Sequence, residues 1–163
     1  MTAPTLDLAK LGRDLDRDEG RRFTVYYDTA RVPTIGVGHN LLTGPLDTAL
    51  RDHLGIPEDT PLHALVLTDE QIDELRDYDI HRTLDAMDRG LGLWWRQLSE
   101  GRQRALANMA FNLGVAKLKT FKGTLAALQS NDFNTAAVHA MDSLWARQVG
   151  QRANRIAALF RFG

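Results

Sequence analysis

Three residues near the N-terminus combine types and spacing that could do chemistry. Glu19 stands in Asp18-Glu19-Gly20, Asp28 follows after eight intervening residues, and Thr34 after five more. Between Glu19 and Asp28 runs Arg22-Phe23-Thr24-Val25-Tyr26-Tyr27, rich in β-branched and aromatic residues. Between Asp28 and Thr34, Thr29-Ala30-Arg31-Val32-Pro33 supplies turn chemistry. The pattern predicts a β-hairpin. With 29–33 as its loop, Asp28 and Thr34 stand directly opposite, on one face, with Cβ atoms about 5 Å apart. A carboxylate and a hydroxyl so placed can hold one water, and Glu19 can approach the same place from the other end of the strand. A carboxylic acid, a carboxylate and an oriented water are the set an inverting glycosidase requires, with its carboxyls roughly 6.5–9.5 Å apart. Each residue also has a local use: a helix-end cap, a turn aspartate, a strand threonine.

The elements that must position this set follow from periodicity. Residues 5–18 place Leu6, Leu8, Leu11 and Leu15 at helical spacing. Thr34-Ile35-Gly36-Val37-Gly38-His39 alternates and reads as the returning strand, its glycines thinning one face so that a ligand or another backbone can come close. A short helix is predicted over 46–54. Thr68 with Asp69 and Glu70 reads as an N-cap and acidic first turn, opening a helix of roughly 20 residues with Ile72, Leu75, Ile80, Leu84 and Met87 apolar. Beyond residue 91 helices are expected over 101–113, 121–129, 132–141 and 152–160, divided by Gly114, Gly123, Ser130-Asn131 and Gly150. Strands at one end and helices elsewhere predict an α+β fold. A small N-terminal β lobe (about 19–67) is joined by a long helix (69–88) to a larger helical lobe (1–18 and 89–163), with the ligand expected in the cleft between lobes.

Composition narrows the function classes. The chain has 163 residues, 44% hydrophobic and 25% charged, with a net charge of −1 and no cysteine. One globular domain is expected, without disulfides, thiol catalysis or cysteine-ligated zinc. No apolar run reaches the 18 residues of a membrane span, and residues 1–20 lack the basic and apolar regions of a signal peptide. Synthesis in the cytosol is expected. Residues 1–100 hold 11 Lys/Arg against 19 Asp/Glu, whereas 101–163 hold 9 against 2. A basic half suits an anionic polymer, or simply attraction between halves of one fold. Its cations are not interleaved with exposed aromatics and no nucleic-acid motif appears, so nucleic acid is not expected as a partner. His53, His63, His81 and His139 lack metal-site spacing, and the carboxylates of 69–88 spread over several helix faces, so neither metal nor cofactor is expected. Of Trp94 and Trp95, one is expected to pack and one to be exposed.

Glu19, Asp28 and Thr34 with Ile35-Gly36-Val37-Gly38-His39 resemble the phage lysozyme (endolysin) family, the glycoside hydrolases typified by the T-even phage enzyme. Arg104-Ala105-Leu106-Ala107-Asn108-Met109-Ala110-Phe111-Asn112-Leu113-Gly114 resembles that family's central helix. Trp145 followed by Arg152-Ala153-Asn154-Arg155-Ile156 resembles its C-terminal signature. These segments keep the family's order and spacing over almost the whole chain.

The resemblance implies a lysozyme-like fold and a muramidase that cleaves the β-1,4 bond between N-acetylmuramic acid and N-acetylglucosamine with inversion. It implies Glu19 as general acid, Asp28 as the residue activating or positioning water, and Thr34 as its orienting partner. It places Arg152 beside Glu19 and Arg155 near Asp18, pairs His39 with Asp79, and sets the Asn112 amide near Glu19 and Trp145. At the position of Asn112 the family usually carries the longer Gln. Trp145 is expected in the core rather than as a sugar platform. The implied partners are the peptidoglycan glycan strand and, functionally, a holin that releases a cytosolic, monomeric enzyme to the periplasm and wall at lysis. The readings weighed against this one are a lytic transglycosylase on the same bond, which needs no water, and a non-catalytic wall-binding or virion module.

Overall fold

The computed structural model describes residues 4–163, with nine α-helices and a three-stranded antiparallel sheet of order β1-β2-β3 among them. The fold is α+β, as the segregation of strand and helix patterns predicts. The chain divides into two compact units: Gly12–His81, and Arg82–Gly163 with the chain before Gly12. The charge asymmetry follows this division, with 7 Lys/Arg against 15 Asp/Glu in Gly12–His81.

Helix α1 is Leu8–Glu19. It starts later than the leucine spacing predicts because Asp7 acts as its cap, accepting the Lys10 N–H on Oδ1 at 2.9 Å. It ends at Gly20, whose φ of 76° is left-handed and whose N–H donates to Asp16 O at 3.0 Å. Strands β1 (Arg22–Tyr27), β2 (Pro33–Gly36) and β3 (His39–Asn40) follow.

Two expectations about these strands need correction. The hairpin loop is 29–31, not 29–33: Tyr27 pairs with Pro33 and Tyr26 with Thr34, and the Asp28 N–H donates to Val32 O at 3.0 Å. The reason is the Asp28 side chain, whose Oδ1 accepts the N–H groups of both Ala30 and Val32 at 2.8 Å, while Arg31 takes a φ of 60°. This is the three-residue hairpin loop with a left-handed third position. The second correction is that 34–39 is not one strand. Gly36 (φ 63°) and Gly38 (φ 70°) turn the chain back, so that Ile35 pairs with His39 across a second tight loop. Two left-handed residues in three positions favour glycine at both, a cause separate from ligand approach.

Helix α2 is Thr48–Leu54, capped by Asp47. Helix α3, Asp69–Leu91, opens with a reciprocal capping box: Thr68 Oγ1 accepts the Gln71 N–H at 3.2 Å, and Gln71 Oε1 accepts the Thr68 N–H at 2.9 Å. In the Gly12–His81 unit the core comprises Leu15, Ile35, Val37, Leu65, Leu67, Ile72 and Leu75, each at most 3% exposed. Arg76 and Arg21 tie α1 to α3. Arg76 binds Asp16 (3.0 Å), while Arg21 binds Asp16 (3.2 Å), Asp69 (2.8 Å) and Asp73 (2.7 Å).

The other unit is helical: α4 (Glu100–Leu113), α5 (Val115–Leu118), α6 (Lys122–Gln129), α7 (Phe133–Met141), α8 (Leu144–Val149) and α9 (Gln151–Phe162). Helix α9 packs on α4 and α7. Much of α4 is buried, and its Gln103 amide donates to the carbonyls of Pro4, Arg96 and Leu98. Gly123 lies inside α6 rather than dividing helices, since a Cβ there would stand 3.1 Å from the His139 imidazole. Helix α8, absent from the sequence reading, is capped by the Ser143 hydroxyl. Trp95 is fully buried and Trp94 half-buried. No described helix is long and apolar enough to cross a membrane.

Candidate active site

Glu19 is the last residue of α1, where the clamp of Asp16 by Arg76 and Arg21 fixes the helix end. Its half-buried carboxyl rests against Gly38: a Cβ built on Gly38 would stand 3.3 Å from Glu19 Oε2. The thinned sheet face thus receives the acid's own side chain.

Asp28 and Thr34 share a face but are diagonal neighbours, because Thr34 pairs with Tyr26 and Val32 takes the place opposite Asp28. Diagonal side chains are separated by about 7–8 Å rather than about 5 Å, which leaves space for a water in place of direct contact. Asp28 is exposed; Oδ1 is consumed by the Ala30 and Val32 N–H groups, and Oδ2 faces no donor among the described residues. Thr34 is 5% exposed and donates its hydroxyl hydrogen to Val32 O at 3.0 Å. Toward a water Thr34 is therefore an acceptor, as is Asp28 Oδ2. A water between them donates both hydrogens and turns a lone pair outward.

His39 is buried, with Nδ1 2.7 Å from Asp79 Oδ2 and Nε2 2.6 Å from Gly44 O. Both ring nitrogens face acceptors. The pair holds β3 to α3.

The remaining expected residues belong to the other unit. Trp145 is 4% exposed; its indole N–H donates to Asn112 Oδ1 at 2.9 Å and its ring meets Phe121 edge-on at 6.1 Å. Arg152 is 5% exposed and its guanidinium donates to Asn108 Oδ1 at 2.8 Å and Asn108 O at 3.3 Å. The same unit carries an open crevice of about 280 Å³ beside Phe121, bordered by Lys122, Thr124, His139, Asp142 and Ser143. Sequence reasoning missed it: its lining comes from the α5–α6 and α7–α8 junctions, which no single motif marks. Tyr26 stands on the face that carries Asp28 and Thr34, and in the sequence strand composition accounts for it without any further role.

The family model of the phage lysozymes matches residues 16–161. The probable T4-type lysozyme 2 of Dictyostelium discoideum is 28% identical, covering 91% of this chain and 92% of that one. The endolysin of Salmonella phage P22 is 29% identical, over 80% and 77% of the two chains. The pre-baseplate central spike protein Gp5 of Enterobacteria phage T4 is 32% identical over 98% of this chain, which spans only 28% of that protein's length. The chain belongs to the phage lysozyme family and is a glycoside hydrolase of the lysozyme type.

Proposed function

We propose that the protein is a phage endolysin that hydrolyses the β-1,4 bond between N-acetylmuramic acid and N-acetylglucosamine, with inversion. Glu19 protonates the leaving oxygen. Asp28 Oδ2 and Thr34 Oγ1 aim a water at the opposite face of the anomeric carbon. The observation that carries this reading is the acceptor-only pair, diagonal on one sheet face, beside an acid held against Gly38. A transglycosylase needs no such water site. The proposal includes synthesis in the host cytosol and release to the wall through a membrane-permeabilising holin; its support is the similarity to a phage protein named as an endolysin.

The test is digestion of purified Gram-negative peptidoglycan by wild type and Glu19→Gln, with products identified by mass spectrometry. Reducing N-acetylmuramic acid ends from wild type alone support the reading, and 1,6-anhydro ends refute it. Anomeric NMR during digestion reads the stereochemistry. A second reading, that the chain serves as the lysozyme module of a virion protein, is favoured by its match to 28% of the phage T4 spike protein. Detection of the chain in purified virions distinguishes it.

A further inference from the structure

Tyr26 is the residue directly opposite Thr34, and it lies two positions before Asp28 on the same strand. Side chains alternate along a strand, so Tyr26, Asp28 and Thr34 project from one face, whereas Tyr27 projects from the other and is 71% exposed. Tyr26 is half-buried, and the Arg22 guanidinium stands 5.4 Å from its ring centroid, a cation–π contact that steadies the ring. Its hydroxyl donates to no other described residue. The phenol is pushed above its ordinary value, first by burial and then by the negative charges of Glu19 and Asp28, with Arg22 opposing. At working pH the phenol remains a donor, on the sheet face that carries Asp28 and Thr34.

The geometry points to Tyr26 as a substrate-contacting residue, whose hydroxyl donates a hydrogen bond to an acetamido or hydroxyl oxygen of the sugar bound between Glu19 and Asp28. This rests on the reading that Glu19, Asp28 and Thr34 carry the hydrolysis. It gives the site a neutral donor that both carboxylates and Thr34, which spends its hydrogen on Val32 O, are unable to supply.

The experiment compares wild type, Tyr26→Phe and Glu19→Gln on soluble peptidoglycan oligosaccharides, with urea midpoints measured in parallel. Tyr26→Phe is expected to keep the wild-type midpoint and to lose about tenfold in kcat/KM, the worth of one hydrogen bond. Tyr26→Phe within twofold of wild type overturns the inference. Glu19→Gln with wild-type turnover overturns instead the hydrolytic reading on which it rests.

Discussion

Gly38→Ala separates the two demands made on one glycine. Its φ of 70° puts any L side chain in the left-handed region, and the new Cβ would stand 3.3, 3.5 and 3.6 Å from Oε2, Cδ and Cγ of Glu19. The backbone term costs about 1–2 kcal/mol, a Tm decrease of roughly 2–8 °C for a chain of this size. Gly55 is the matched control: its φ is 66°, it lies in the same unit, and a Cβ there meets nothing within 4 Å. Gly55→Ala carries the backbone term alone. In Gly38→Ala the Glu19 carboxyl must also retreat by a few tenths of an ångström. Misplacement by 1 Å costs about 100-fold in rate, so a shift of about half that costs about tenfold. Clearing of a peptidoglycan suspension at 20 °C, with protein shown folded by circular dichroism, gives the rates; thermal unfolding gives the stabilities. The expected result is similar Tm losses and about tenfold lower activity for Gly38→Ala alone. Equal specific activities for the two variants would refute the claim that Gly38 seats the acid.

Two further outcomes follow from hydrogen-bonded carboxylates. Asp88 accepts from Arg96 Nε and Nη2, each at 2.8 Å, and from the Trp95 indole at 3.0 Å. Its carboxyl is held below the ordinary 3.8, by the Arg96 hydrogen bond first, then against the opposing effect of burial by the Arg96 charge and the Trp95 bond. A depressed carboxylate stabilises the fold above its unfolded value and loses that contribution as pH falls through the folded one. Asp88→Asn should therefore cost about 1 kcal/mol near pH 7, and the cost should shrink below pH 3.8, measured by urea unfolding across that range. Asp79→Ala removes the partner of His39 Nδ1, whose side chain is 2% exposed, and should cost about 1–3 kcal/mol by leaving that buried nitrogen unpaired; a urea midpoint within the error of wild type would show that the pair contributes nothing.

Local signals made most of the frame legible. Thr68 and Gln71 announce the start of α3, and the apolar spacing of Ile72, Leu75 and Ile80 fixes its inward face, because capping and helical period depend on neighbours within one or two turns. Glu19, Asp28 and Thr34 were legible as a set through their types, their spacing and the family resemblance. Their true register was not. It depends on Asp28 spending Oδ1 on two backbone N–H groups, which shortens the loop to 29–31 and moves Thr34 from opposite Asp28 to opposite Tyr26. That choice among loop lengths is decided by hydrogen bonds that form only when the turn closes. The surroundings of Gly38, Tyr26 and the Phe121 crevice needed the tertiary structure for a related reason: each is defined by what another segment places against it. Sequence by itself determined the longer helices, the α+β class and the residue types of the proposed chemical set; tertiary packing decided the short helices α5 and α8, which face that set shares, how far apart its members stand and what rests against Gly38, because those are relations between segments that no local preference encodes.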